Sequence, residues 1–453
     1  MMSELMLIVI LGAPLVMALW LAATWLAGFE PSERTISRTT AVSFVVATAA
    51  TGALTWTMHG SGWAPVIVDI GNWFAAGAYS FPILLVVDRL SLPLLALTVV
   101  LSGLIGSFSS RYLHREAGYL RFFLLLHVFA FGAETAFAAG AFNLLIVGWE
   151  LVGLSSVMLI AFFNQRVAPV KNAVRAFAIY RVTDIGLLLG VFLLHHAAGS
   201  ASCTLLFHGI WPQQDTPLGA GTATAVAICF LLAAAGKSAQ APFSGWLPRA
   251  MEGPTPSSAI FYGGISVHLG VYLLLRAAPI IQKSPVAPAL VVFVGLVTAI
   301  LATLSARTAS DAKTSLALAT LGQLGVIFTE AGLGFERLAL LHLTAHAIIR
   351  TLQFLRAPSM LHDHHRVHAA AGGALSRTGL YYEALLPINL RRWLYRFALD
   401  RCHLDTLIDR FVGDPILRIA RRLTAMERAG RAVSVQSSAR VLAGTSVNEV
   451  AGG

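Results

Sequence analysis

The sequence predicts an all-α polytopic membrane protein with about eleven transmembrane helices and amphipathic C-terminal helices. Three observations predict it. Of 453 residues, 57% are hydrophobic and only 12% charged, where a soluble domain carries about a quarter charged residues. Apolar runs long enough to cross about 30 Å of hydrocarbon recur along the chain. The basic residues gather in alternate linkers, a distribution that orientation in a bilayer produces. The net charge of +10 therefore reflects topology rather than affinity for nucleic acid.

The apolar runs fall near 5–28, 39–58, 83–107, 119–140, 143–164, 176–198, 222–246, 257–277, 286–306, 315–334 and 338–357. The first follows no basic segment and ends without a small-residue cleavage site, so it reads as a mature helix. One set of linkers carries Arg34, Arg38, Arg111, Arg115, Arg166, Lys171, Arg175, Arg249, Arg307 and Lys313. The alternate set (59–82, a short turn near 141, and 199–221) is nearly free of them. Arg276, Lys283 and Arg337 break the pattern. The alternation predicts an N-terminus outside and a cytoplasmic C-terminus.

Past residue 357 the stretch RRWLYRFALDRCHLDTLIDRFVGDPILRIARRLTAMERAGR is basic and amphipathic. Leu404, Leu407, Ile408 and Phe411 share a helical face, suited to the membrane surface or to a partner. Residues 432–453 have the composition of a disordered end. The expected organisation is N-terminal helices over 1–118, a first helix bundle with a broken helix over 119–281, a partial second bundle over 282–357, and a cytoplasmic amphipathic tail over 358–453.

Ionisable residues inside the runs carry the functional signal. A charged side chain facing lipid costs at least about 2.5–3.5 kcal/mol, so such residues face the bundle or a wet cavity. Glu150 lies in NLLIVGWELVGLSS, Arg181 and Asp184 in YRVTDIGLLLG, Lys237 in GKSAQAPFSGWLPRAMEGPTP, and His268 near the middle of its run. His342, His346 and Arg350 stand at i, i+4 and i+8, one helix face. Arg181 and Asp184 are equally read as a local ion pair, with Arg181 snorkelling, and His268 alone as a hydrogen-bonded packing residue. Taken together, a carboxylate, a lysine and histidines are what a proton path needs. Pro242 and Pro248 interrupt a helix, and Pro254 with Pro256 starts the next, which places Lys237 at a break. The HDHHRVH cluster, His362 to His368, reads as a solvated basic loop or a metal site. Cys203, Cys229 and Cys402 stand at no metal-ligand or redox spacing.

Six stretches in collinear order carry a family resemblance: VVDRLSLPLLAL, GWELVGLSSVMLI, RAFAIYRVTDIGLLLG, GKSAQAPFSGWLPRAMEGPTPSSAI, DAKTSLALATLGQLG and LLHLTAHAIIRTLQFLRAPS. Residues 80–360 resemble the antiporter-like subunits of respiratory complex I and of the Mrp antiporters. The resemblance implies the antiporter-like fold and a proton path lined by Glu150, Lys237, His342, His346 and Arg350. Arg175, Arg181 and Asp184 match the family's supporting charged residues. Tyr262 stands where the family has a histidine, with His268 six residues later. Arg350 replaces a lysine and Arg249 an aspartate, and the second repeat is truncated. The shortened pattern is similar to that of the DabB membrane subunits of inorganic-carbon accumulation systems. That similarity implies ion movement in this chain, no cofactor or metal of its own, and a large soluble zinc-binding DabA-like partner that hydrates CO2. The chain is then a transporter subunit rather than an enzyme, in a bacterial inner membrane. A subunit of a respiratory pump or multi-subunit cation/proton antiporter is the alternative, and a non-conducting membrane anchor is the third.

Overall fold

The computed structural model describes residues 2–76, 79–207, 211–213, 215–357, 385–415 and 417–428. The chain divides into a compact unit ending at Asp405 and a second one from Thr406. His362 to His368 and residues 432–453 lie outside the described residues.

Eleven helices among the described residues are long and apolar enough to cross a membrane, one for each expected run, and the chain is a multi-pass membrane protein. They are α1 (Met2–Leu26), α2 (Glu33–Gly60), α3 (Ser91–Tyr112), α4 (Tyr119–Ala138), α5 (Phe142–Ile160), α6 (Val167–Ala198), α8 (Ala220–Lys237), the broken helix Thr255–Arg276, α13 (Ala287–Ala306), α14 (Ala312–Gly332) and α15 (Glu336–Arg356). Between them stand short helices: α7 (Cys203–Leu206), α9 (Trp246–Arg249) and α12 (Ala278–Lys283). The broken helix comprises α10 (Thr255–Ser258), a π segment (Ala259–Gly264), a 3-10 turn (Ser266–His268) and α11 (Leu269–Arg276). It is buried throughout because it is apolar on every side. The helices α3, α8, α14 and α15 pack on it.

The loop expected over 59–82 contains an antiparallel hairpin, β1 (Val66–Ala76) and β2 (Tyr79–Val87). The third run therefore begins its helix at Ser91, eight residues late, because the apolar stretch 83–87 is spent on a strand. The sixth helix begins at Val167, so Lys171 and Arg175 lie inside its first turns rather than in a linker. The amphipathic tail is interrupted. One helix, α16 (Ile388–Leu399), is followed by Arg401, Cys402 and His403 with φ of 50°, 58° and 57°. These left-handed residues stop the helix. The next, α17 (Leu404–Ile408), gives way to a π turn over Asp409–Gly413, so Phe411 does not continue the face of Leu404, Leu407 and Ile408.

Close helix contacts are made by small residues. A Cβ on Gly148 of α5 would overlap the Ala136 amide and the Gly132 carbonyl of α4, and such small-residue seams let membrane helices meet backbone to backbone.

Arg276, one of the exceptions to the charge alternation, is explained by a partner 188 residues away. Its guanidinium donates to both carboxylate oxygens of Asp88 at 2.5 and 3.1 Å, and both side chains are buried. Asp88 also accepts from the Leu90 and Ser91 amides and so starts α3. Burial works against the Asp88 carboxylate, but the charge and hydrogen bonds of Arg276 prevail and hold its carboxyl below the ordinary value of 3.8. The pair's contribution to stability is present above that value and is lost as acid titrates the carboxyl below it. Replacing Arg276 by Met strands the Asp88 charge and lowers stability by about 3–5 kcal/mol, read as thermal unfolding in detergent. Adding Asp88→Asn to Arg276→Met restores most of it.

Candidate proton path in the bundle interior

The site begins where α8 ends. Lys237 is its last residue and has no exposed surface. Its Nζ donates to the Trp149 carbonyl at 2.8 Å and lies 5.0 Å from the Trp149 ring centre and 4.8 Å from that of Tyr180. Gly153 makes room for it: a Cβ there would stand 2.9 Å from Nζ. The carbonyls and amides freed by the break find partners, as hydrocarbon demands. Trp246 Nε1 donates to the Gly236 carbonyl at 3.0 Å, and the Ala241 amide to Thr298 Oγ1 at 2.9 Å.

Beside the lysine, α5 and α6 bring together three charged side chains. Arg181 Nη2 donates to Glu150 Oε2 and, at 2.8 Å, to Asp184 Oδ2. Asp184 Oδ1 accepts from Trp149 Nε1 at 2.6 Å. Arg181 and Asp184 are thus an ion pair, but one shared with Glu150 on another helix. Asp184 reaches Lys237 through Trp149, whose ring N–H it accepts and whose carbonyl takes the ammonium. Arg175 lies six residues before Arg181 on the same helix.

The second group sits at the second break. His268 Nδ1 is 2.7 Å from the Gly264 carbonyl and its Nε2 is 2.9 Å from His346 Nδ1. His342 follows on α15, its ring centre 6.4 Å from that of His346. His342 contacts Glu330 Oε1 at 2.9 Å and Gln323 Oε1 at 3.0 Å, both on α14. His346 Nε2 and Arg350 Nε are buried without a partner. The π segment is held to α15 by Thr351, whose hydroxyl donates to the Ala259 carbonyl at 3.4 Å.

Between the two groups stand hydroxyls and aromatic rings. Ser238 Oγ donates to the Val267 carbonyl at 2.6 Å, and Ser156 Oγ is 3.4 Å from Ser266 Oγ. Tyr262 touches neither Lys237 nor the histidines through a hydrogen bond. Its ring stands 5.9 Å from Trp246, which stands 5.0 Å from Tyr180. Glu330 and Gln323 escaped the sequence reading, although an acid inside the run 315–334 was a signal.

The order of these elements is that of a known family. A family model described as "NADH:quinone oxidoreductase/Mrp antiporter, TM" matches residues 139–384, more than half of the chain. The chain belongs to this family. A second model, "NADH-Ubiquinone oxidoreductase (complex I), chain 5 N-terminus", matches residues 73–123. The NADH-quinone oxidoreductase subunit L of Campylobacter jejuni is 35% identical over 295 residues, 65% of this chain and 48% of that protein. Subunit L of Mycobacterium tuberculosis is 33% identical over 331 residues, 71% and 52% of the two chains. The chain spans about half the length of the curated relatives it matches. In structure it is similar to a chain of the Mrp complex from Dietzia sp. DQ12-45-1b, with a TM-score of 0.65, 26% identity, and 78% and 37% of the two chains covered. A chain of an archaeal membrane-bound sulfane sulfur reductase shares the fold at a TM-score of 0.65 and 20% identity.

Within the group beside Lys237, Arg181 pairs with two carboxylates at once. Because it is partly exposed, at 40%, the cost of Arg181→Met is expected near 1–2 kcal/mol, below the ~3–5 of a fully buried pair. Glu150→Gln in the same background recovers part of it in a double-mutant cycle of thermal unfolding.

Proposed function

We propose that the chain is a proton-conducting membrane subunit of a multi-subunit, energy-coupled complex of the NADH-quinone oxidoreductase/Mrp antiporter type. The observation that carries this reading is the interior row itself. Glu150, Arg181, Asp184, Trp149 and Lys237 form one hydrogen-bonded group, and His268 with His346 form another, continued by His342 to Glu330 and Gln323. Serine hydroxyls bridge the helix breaks between them.

The chemistry of the row favours protons over metal cations. Lysine and imidazole nitrogens take and release protons, whereas hard cations seek several oxygen ligands. Lys237 has three donors when charged and one carbonyl acceptor, so losing a proton strands nothing. His268 Nδ1 donates to the Gly264 carbonyl, which leaves its Nε2 to accept from His346 Nδ1, so a charged His346 can hand its Nδ1 proton to His268 along this bond. A proton on Lys237 disfavours one on the imidazoles and is stabilised by Asp184 and Glu150, so each group's charge biases the next. Arg181 holds both carboxylates and can shift its weight between them. Arg350 is permanently charged and acts as an electrostatic boundary rather than a carrier. One proton moving down the membrane potential yields about 2.3 kcal/mol per 100 mV, which the complex spends on its coupled reaction.

The termini are placed, within this reading, with the N-terminus outside and the C-terminus in the cytoplasm of a bacterial inner membrane. A second, narrower reading has the complex accumulate inorganic carbon through a large soluble zinc-binding DabA-like partner. It is favoured by Tyr262 and His268 at the second break, by Arg350, and by the basic helix α16, which offers Arg391, Arg392 and Arg396 to a partner. The curated relatives fit the respiratory and antiporter complexes better. Copurification decides between them: quinone-oxidoreductase or Mrp-type subunits against a zinc-binding soluble protein.

Proton flux into vesicles, followed with a pH-sensitive dye, tests the path. Lys237→Ala and Lys237→Arg both lower it at least about tenfold, or about 1.4 kcal/mol in barrier, since arginine keeps the charge but holds its proton. Normal flux in a correctly inserted Lys237→Ala protein ends the reading.

A further inference from the structure

A second set of buried titratable groups lies outside the row, on α4. Glu134 in FGAETAFAAG has no exposed surface, and the protein offers neither of its carboxyl oxygens a hydrogen-bond partner. His127 stands seven residues earlier on the same helix face, about 10 Å along the axis. Its Nδ1 is 2.8 Å from the Phe123 carbonyl, while its Nε2 is buried and unpartnered. The helices α2 and α3 meet α4 at this level. The Phe44 ring stacks on His127 at 4.9 Å, and a Cβ on Gly106 would lie 3.1 Å from Thr40 and 3.7 Å from Leu126. Three hydroxyls of these helices, those of Thr40, Ser43 and Ser102, are also buried without a partner.

Orphaned polar atoms are rare in native interiors, and here five side chains on three contacting helices carry them. The charged residues of the helices packed on α4 stand at or near helix ends: Glu4 in α1, Glu33, Arg34, Arg38 and His59 in α2, and Arg111 in α3. Glu150 of α5 is taken by Arg181, β2 has no charged residue, and Arg276 of the broken helix, which meets α4 through Tyr272, is taken by Asp88. An ionised Glu134 would therefore be a bare charge in a dry interior, which is prohibitively costly. Carrying a proton removes that cost, and exchange of that proton with the bulk requires water to reach the carboxyl in passing.

We propose that Glu134 is a proton-binding site, filled and emptied by water-borne protons through His127 and the α2–α3–α4 contact. It is separate from the Lys237 row. One turn beyond Glu134, the Phe137 carbonyl accepts the Tyr272 hydroxyl at 2.9 Å, which ties α4 to the broken helix. Tyr272 lies one turn from His268 on the broken helix. The site thus holds a proton on a helix that is tied, through Tyr272, to the broken helix that carries His268. Its participation in flux rests on the proton-conducting reading; its protonation and exchange do not.

Difference infrared spectra of the chain in liposomes, recorded as the bulk pH is stepped, test the site. The expected result is a carbonyl band of a protonated carboxyl that shifts in heavy water, vanishes in Glu134→Gln and moves in Glu134→Asp. His127→Phe keeps the stack on Phe44 and slows the exchange of that band. Flux falls several-fold in Glu134→Gln and partly recovers in Glu134→Asp. A band that survives Glu134→Gln overturns the proposal, and so does the absence of any such band from the unsubstituted protein as the pH is stepped, which marks an inert buried acid. If Lys237→Ala leaves flux normal, the path fails, yet the Glu134 band still reports whether this carboxyl exchanges protons. If Glu134→Gln does not fold, Glu134→Asp and the exchange rate in His127→Phe carry the test.

Discussion

The Lys237 amine has no exposed surface and is held by one carbonyl and two aromatic faces. Among the described residues no carboxylate touches it. An ammonium in that position costs several kcal/mol unless other groups oppose its desolvation, and the surrounding fold supplies them at one remove. Trp149 turns its ring nitrogen to Asp184 and its backbone oxygen to Lys237, so one residue relays the carboxylate's influence without contact. A direct Lys–Asp bridge would trap the proton. Separation by a neutral residue keeps both charge states of the lysine within reach.

The same constraint explains the helix breaks. A membrane interior tolerates irregular backbone only where polar partners or a cavity meet it. At the first break, Trp246 and Thr298 take the freed groups; at the second, Ser238 and Thr351 take the Val267 and Ala259 carbonyls. Ser238 follows Lys237 directly and Val267 precedes His268. The first break therefore caps the second, and that bond brings the residue after Lys237 against the residue before His268. Gly270 permits this, because a Cβ there would overlap Ser238 Oγ.

What was legible in the sequence was what is local. The runs, the i, i+4, i+8 ladder of α15 and the breaks around Pro242 and Pro254 follow from spacing and residue type. The hairpin escaped because its apolar strand β2 runs into the helix that follows it, and a hydropathy window does not separate the two. Pairings across the fold escaped as well. Asp88 and Arg276 are 188 residues apart, His268 and His346 are 78 apart, and nothing in either segment specifies the other. Arg276 did announce itself as an exception to the charge alternation, whereas Glu134 and His127, inside the run 119–140, were passed over. The π segment at Ala259–Gly264 was hidden, since its two glycines and β-branched neighbours suit several backbones.

Arg350 gives the proposed path its direction. A guanidinium cannot release its proton, and it sits one turn from His346, so a charged His346 faces repulsion from that side. The other neighbour of His346 is His342, whose two ring nitrogens meet oxygens of Glu330 and Gln323. The Gln323 amide can turn over and offer its nitrogen instead, so the contact suits either tautomer of the ring. Glu330 keeps its second oxygen buried and unpartnered, an acceptor in waiting for a proton. A proton reaching His346 therefore moves toward α14 rather than along α15. On the proposed path, arginine in place of the family's lysine would close one route and leave the lateral contacts of His342 with Glu330 and the exposed Gln323.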